Sequence, residues 1–345
     1  MIVRIHIKFL IVFIIFLISI ESKTQQLPQY SQYMFNPYLV NPAVAGSSDY
    51  FHLNSGFRYQ WLGVDGSPVT FYMSGHGHVG KEHPRLRGIH KNQNSWHHGL
   101  GFIAFADKSG GTGNNYIFNT YKFGITYAYD MSITKQTRIS FGASLGITQI
   151  GIDGAAARFS EGSSSIVFNT IGNLVFPDAN AGIFIYNKLW YAGVSNYQLF
   201  AQRLRSTPFS DPTGVNQLAR QYYVTGGGVL RLLRDPVIDM IPSTLIKISE
   251  NVLPAPISAD FNVKITFKQI KWEDDHLIWG GFSYRTQEGL VFMAGFRFNK
   301  RYEFGYSYDY TLSQLQARSR GSHEFMIGYR IVPKQRVLSP SDFWY

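Results

Sequence analysis

From Tyr121 to Asp130 the chain alternates without a break. Tyr121, Phe123, Ile125, Tyr127 and Tyr129 fall on one side, and Lys122, Gly124, Thr126, Ala128 and Asp130 on the other. Successive side chains of an extended chain point to opposite faces, so this period of two predicts a strand with one apolar and one polar face. The same pattern returns with Ile139, Phe141, Ala143, Leu145 and Ile147 against Ser140, Gly142, Ser144, Gly146 and Thr148. It returns again over 257–268, 301–311 and 321–332. A helix cannot keep such residues on one face. Fourteen candidate strands follow, near 50–60, 67–79, 97–107, 115–130, 136–150, 179–187, 189–196, 219–231, 243–250, 257–268, 276–286, 289–299, 301–311 and 321–332.

Two architectures accept alternating strands. A soluble sandwich uses strands of about 5–6 residues with Val, Ile and Leu on the inner face. These runs reach ten residues or more, their apolar face is rich in aromatics, and the other face carries Gly, Ser, Asn and charges. That is a poor sandwich core but a good lumen, and the length suits a tilted strand crossing a membrane. The fold expected is all-β: a transmembrane antiparallel up-and-down β-barrel of about 14 strands, with an N-terminal segment that is not a strand. Short turns at 131–135, 187–188 and 299–301 and long connections at 151–178 and 197–218 place short turns in the periplasm and long loops outside, with both termini in the periplasm. The long 80–96 connection is the exception, expected on the periplasmic side.

Composition supports this class. Of 345 residues 45% are apolar and only 16% charged, with 27 Phe, 22 Tyr and 33 Gly, against about 25% charged in a soluble domain. The mean hydropathy of −0.11 is too polar for a bundle of membrane helices but fits strands that alternate between lipid and lumen. The formal charge of +10 is spread through strand-like runs, without a basic helix or zinc pattern, so no nucleic-acid partner is expected. The absence of cysteine excludes disulfides, Cys-ligated zinc and a lipidated cysteine.

Residues 1–24 read as a signal peptide. Arg4 and Lys8 precede an apolar run from Phe9 to Ile20, and a polar stretch follows, with Gln25 a plausible mature start. A retained N-terminal anchor is the alternative. The expected organisation is 1–24 signal peptide, 25–49 plug or docking segment, 50–332 barrel and 333–345 tail. No later stretch is apolar enough for a spanning helix.

Candidate chemistry is sparse. Six of the ten histidines, His76, His78, His83, His90, His97 and His98, fall in one window, but without cysteine and with few acids nearby; a solvated cluster is expected rather than a metal site. Gly142–Gly146 matches G-x-S-x-G, yet that motif needs a sharp strand-to-helix turn, and Ser144 lies inside a strand. No catalytic residue, metal or cofactor is expected. Asp260, Lys264, Lys268, Arg297, Glu303, Asp309, Glu324 and Arg330 recur on inward faces. Mixed signs favour cross-strand pairing over a selective pore. Residues 25–49 carry Asn36-Pro37 and Asn41-Pro42 and an aromatic surface of Tyr30, Tyr33, Phe35 and Tyr38 that must dock, either in the lumen or at its periplasmic mouth.

This segment also carries a resemblance. Pro28-Gln29-Tyr30-Ser31-Gln32-Tyr33-Met34-Phe35-Asn36-Pro37 and Asn41-Pro42-Ala43-Val44-Ala45-Gly46 resemble the opening of the PorP/SprF family of type IX secretion system outer-membrane proteins of Bacteroidetes. Arg58, Gln60-Trp61, Gly63, Asp65-Gly66, Pro68 and Thr70 are similar to its R-x-Q-W-x-G-x-D-G-x-P-x-T block. Gly99-Leu100-Gly101, Asp107-Lys108, Tyr306-Ser307-Tyr308-Asp309 and Ser322-His323-Glu324 fit the same template less specifically. The resemblance implies a non-enzymatic outer-membrane component of the secretion and gliding machinery that supports secretion or surface anchoring of a partner. It implies as partners an adhesin-like secreted surface protein, held through its C-terminal domain, and periplasmic ring and lipoprotein components, besides outer-membrane lipid. Tyr30, Tyr33, Phe35, Asn36, Asn41, Arg58, Trp61 and Asp65 are the partner-binding candidates, and Ser339–Tyr345 a further contact. A porin for small solutes is the alternative.

Overall fold

Beside lipid every backbone N–H and C=O must be satisfied within the protein, so long half-apolar strands have to pair in a ring. The computed structural model describes residues 30–48, 50–79, 96–111, 116–134, 136–152, 173–200, 220–250, 257–268, 276–286 and 288–331, and in it the ring closes. The strands are β1 (Phe51–Tyr59), β2 (Val69–Val79), β3 (Trp96–Ser109), β4 (Phe118–Ser132), β5 (Arg138–Ile152), β6 (Leu174–Tyr186), β7 (Trp190–Tyr197), β8 (Gln221–Gly228), β9 (Leu230–Arg234), β10 (Val237–Ser249), β11 (Ile257–Lys268), β12 (Leu277–Arg285), β13 (Gly289–Phe298), β14 (Tyr302–Thr311) and β15 (Ser322–Ile331). Consecutive strands pair antiparallel, and β15 returns to β1, with Phe51 opposite Ile331 and Tyr59 opposite His323. β8 and β9 are two halves of one wall strand broken at Val229: both lie on β10, against Ser243–Ser249 and Val237–Met240 respectively. The wall is therefore a closed barrel of fourteen strands.

Two boundaries differ most from the sequence reading. The strand expected to begin at 179 begins at Leu174, and that expected at 243 begins at Val237. Each added stretch holds a proline, Pro177 or Pro242, which donates nothing to a ladder. Both prolines are nonetheless in register, opposite Ile147 and Val263. The turn at 235–236 and the extension of β9 to Arg234 were missed with them.

Alternation sorts the side chains as expected. Phe71, Phe123, Ile125, Leu145, Ile183, Phe292, Phe325 and Ile327 are exposed on the outside, the surface that meets lipid. Thr70, Ser74, Asp130, Ser140, Asp260, Asn262, Ser307 and Glu324 are buried on the inside. No described helix is long and apolar enough to cross a membrane; the barrel crosses with strands.

The inside is not empty. Residues 30–48 run through the lumen, with Tyr33, Tyr38, Leu39, Val40, Ala43, Val44 and Ala45 at most 3% exposed. Two 3-10 turns, Pro37–Leu39 and Pro42–Val44, fold the segment; each starts on a proline, whose missing N–H costs nothing there. The Asn41 side chain caps the second by accepting from the Ala43 N–H at 2.9 Å. Ser31 sits by Asp309 and Glu324, toward the end that carries the 60–68 and 312–321 connections. Gly46 and Ser47 sit by His97 and Tyr186 at the opposite, turn-bearing end, where β1 begins. β1 starts and β15 finishes at that end, and the first described residue, Tyr30, lies toward the loop-bearing end; the termini themselves lie outside the described residues. The expected signal peptide, the 333–345 tail, His83 and His90 lie outside the described residues.

Candidate functional site: a plugged lumen and its rim

The plug is held by charge at its first residues. Arg58, 1% exposed, projects inward from β1 between β14 and β15. Its guanidinium reaches Asp309 Oδ2 at 2.8 Å and Glu324 Oε2 at 3.2 Å, and donates to Ser31 Oγ at 2.5 Å. Ser31 itself donates its backbone N–H to Glu324 at 2.8 Å and its hydroxyl to Asp309 at 2.7 Å. The Tyr72 hydroxyl donates to the other Glu324 oxygen at 3.1 Å. Two carboxylates with one guanidinium between them would repel if left alone; Arg285 adds a second cation, 3.5 Å from Asp309, and also pairs with Asp260 and Glu288.

Further along, polar side chains of the wall take up the plug's backbone. Ser195 donates to the Val40 carbonyl at 2.5 Å and the Tyr197 hydroxyl to the Leu39 carbonyl at 2.9 Å, while the plug's own Asn41 donates to the Ile183 carbonyl of the wall at 3.0 Å. Asn36 donates to Ser74 at 2.7 Å, and Asn262 to the Tyr33 hydroxyl at 2.6 Å. The Tyr38 hydroxyl lies 2.6 Å from Thr126 Oγ1. Phe35 stacks on Trp279 at 3.7 Å between ring centres, with the Lys264 ammonium 4.4 Å from the Phe35 ring centre. Where the plug touches the wall backbone, the wall has glycine: a Cβ at Gly142 would stand 2.4 Å from the Ala43 nitrogen. This contact explains the first half of the G-x-S-x-G match; Ser144 accepts from Asn180 at 2.9 Å.

Of the inward charges expected, Asp260, Glu303, Asp309, Glu324 and Arg330 form ion pairs across strands. Glu303 bonds Arg330 at 2.8 Å, with Arg297 and Lys264 in its field, and Asp260 takes Lys247 and Arg285, both at 3.2 Å. The expected solvated histidine cluster meets a correction: His76 is 1% exposed and stacks on His52 at 5.1 Å, and His78 packs against His97 at 5.9 Å, because their strands face the plug; among the described residues no three His, Asp or Glu side chains form a metal-holding group. His97 lies 2.9 Å from the Gly46 carbonyl and His78 3.4 Å from that of Ser48, both on the plug, while His98 meets the Tyr127 hydroxyl at 2.6 Å.

Of the eight partner-binding candidates, Tyr33, Phe35, Asn36, Asn41 and Arg58 are buried in this plugged lumen, and Tyr30 is half-buried at its loop side. Trp61 and Asp65 lie apart, at the rim. There the 60–68 turn is fastened to neighbouring loops: the Trp61 N–H donates to Ser322 Oγ at 3.0 Å, Leu62 to the Gly321 carbonyl at 2.8 Å, and Gly110 to the Gly66 carbonyl at 2.7 Å. Gly66, with φ +69°, has both a left-handed backbone and the Gly111 carbonyl 2.6 Å from where a Cβ would be, so only glycine fits. Asp65 is exposed and Trp61 half-buried. The sequence reading missed Arg285 and Arg138 as lumen anchors. Arg138 bonds Asp130 at 2.5 Å and Arg285 shares the inward period of Ser283, so the alternation alone could have found the latter.

The family model described as type IX secretion system membrane protein PorP/SprF matches residues 22–329. No curated protein sequence matches the chain. Among solved structures, a Pseudomonas aeruginosa FadL homologue aligns at 9% identity and TM-score 0.46, covering 89% of this chain and 95% of that one. The Pseudomonas putida toluene transporter TodX aligns at 10% identity and TM-score 0.46, over 88% and 93%. The β domain of the Bordetella autotransporter BrkA aligns at 10% identity and TM-score 0.38, over 83% and 100%.

Proposed function

The chain belongs to the PorP/SprF family of type IX secretion system membrane proteins, and from that premise we propose that it is a non-enzymatic holder, which retains or guides a secreted surface protein at the outer membrane. The observation that carries this reading is the filled lumen. A porin needs an aqueous path, and here residues 30–48 occupy it, tied to β1, β2, β4, β6, β7, β11, β14 and β15 by hydrogen bonds. A closed barrel with a fastened rim suits docking better than passage. On this reading the loop-bearing end, with Trp61 and Asp65, meets the displayed protein. The turn-bearing end meets the periplasmic ring and lipoprotein components. Tyr33, Phe35, Asn36, Asn41 and Arg58 then serve the partner by shaping the plug rather than by touching it.

The test is surface proteomics of wild type, a deletion strain, and deletion strains restored with the wild-type gene or with Trp61→Ala. Deletion should remove one or a few proteins from the surface and leave small-solute uptake unchanged, and Trp61→Ala should restore display only in part. A deletion that leaves the surface unaltered while uptake of a nutrient falls sinks the holder and leaves the porin.

A further inference from the structure

The outward face of the last two strands changes in character along its length. Phe304, Phe325 and Ile327 are exposed in the band that meets lipid. Toward the loop-bearing end the same face carries Tyr306, Tyr308, Tyr310 and His323, with the Tyr306 hydroxyl 2.8 Å from His323 Nδ1. Aromatic side chains with a polar tip settle where lipid headgroups begin. Past them runs the β14–β15 connection, which exposes Leu312 and Leu315 and then Arg318 and Arg320. We propose that Arg318 and Arg320 bind the phosphate of an outer-leaflet glycolipid, with Leu312 and Leu315 against its acyl chains. The leaflet rests on the orientation in the holder reading, with the loop-bearing end outside; the phosphate site does not.

Three observations carry it. First, the connection is fastened to the aromatic girdle. The Tyr308 hydroxyl donates to the Arg320 carbonyl at 3.3 Å, and the Gln316 amide donates to the Tyr310 hydroxyl. Both tyrosines alternate with the inward Ser307 and Asp309 and so point outward, which holds the connection at the lipid-facing edge. A 3-10 turn over Gln314–Ala317 and the Arg318 N–H on the Leu315 carbonyl, at 3.1 Å, fix the backbone between leucines and arginines. The Arg320 N–H is tied in turn to the Leu62 carbonyl at 2.7 Å. Second, among the described residues neither guanidinium has a hydrogen bond or ion pair. Asp65, the exposed carboxylate of the 60–68 turn, pairs with neither, and Asp309 and Glu324 below are held by Arg58. Third, the neighbours select the ligand. Guanidinium forks match the oxygens of a phosphate, and cations at the membrane surface draw anionic headgroups. A soluble anion would use the arginines and leave both leucines in water. A lipid phosphate uses all four.

Full-length wild type, Arg318→Gln/Arg320→Gln and, at the opposite end, Arg301→Gln are purified in a neutral detergent and checked as fast-migrating forms on unboiled gels. Native mass spectrometry then follows binding of monophosphoryl lipid A and of the same lipid stripped of its phosphate, with inorganic phosphate as competitor. Wild type and Arg301→Gln should hold lipid A, and the double variant should hold it roughly ten- to a hundredfold more weakly, the loss of two charge-assisted contacts. Arg318→Lys/Arg320→Lys should fall between them, and gives the reading if the glutamine variant does not fold. The stripped lipid should bind every protein weakly and alike. Equal binding of lipid A by all the proteins, or of both lipids by wild type, overturns the site. Displacement by millimolar inorganic phosphate makes the ligand a free anion and overturns the lipid. If the double variant keeps lipid A but loses the displayed protein, the arginines grip a polypeptide; the lipid assignment falls and the holder reading stands. If deleting the gene removes nothing from the surface while the lipid result holds, the holder reading falls and the site stands.

Discussion

At the residue scale Arg58 ties the start of the plug to the wall. It was a partner-binding candidate on resemblance; in the structure it is a buried cation holding Asp309, Glu324 and Ser31. Removing one member of a buried ion group leaves the others uncompensated, which costs about 3–5 kcal/mol. Arg58→Ala should therefore lower the temperature at which the compact, fast-migrating form is lost on unboiled SDS gels. Arg58→Lys should fall between it and wild type, because an ammonium keeps the charge but not the fork that spans three acceptors. If Arg58→Ala unfolds at the wild-type temperature, the cluster does not hold the plug.

At the element scale the plug and the wall are fitted through backbone contacts. Gly142 lies where Ala43 presses on β5, so any side chain there must push the plug away, while the outer face of β5 feels nothing. Gly142→Leu should still form a barrel, migrate fast on unboiled gels, and conduct ions in planar bilayers, where wild type conducts little. Gly124→Ala is the control: a Cβ at Gly124 meets its nearest atoms at 3.5 Å, an ordinary contact. Equal conductance in all three proteins would mean that residues 30–48 do not seal the lumen.

At the scale of the whole molecule the strand order divides the connections between two ends, and the membrane must distinguish them. Thr134 is exposed in the β4–β5 turn at one end and Ala317 in the β14–β15 connection at the other. With no native cysteine, Ala317→Cys should react with an impermeant maleimide on intact cells and Thr134→Cys only after lysis. The reverse would invert the orientation without touching the fold, and would move the displayed partner to the turn-bearing end.

Period-two alternation by itself determined the class, the wall strands and the inward set, because a strand's faces are settled by local geometry before any partner is chosen. It also placed Asp260, Glu303, Asp309 and Glu324 inside and implied that they pair. It failed at Pro177 and Pro242, where the ladder tolerates a missing donor that no local rule anticipates. The docking of residues 30–48 was half legible: four aromatics between prolines had to be buried somewhere, but the lumen and its periplasmic mouth were equally open to that argument. Only the tertiary structure decided for the lumen. The partners that decide it, Ser195 for Val40, Asn262 for Tyr33 and Trp279 for Phe35, stand 155 residues away or more and meet the plug only because the barrel closes. Closure also brings Arg58 of the first strand against Asp309 and Glu324 of the last two, a contact set by the ring and not by any spacing along the chain.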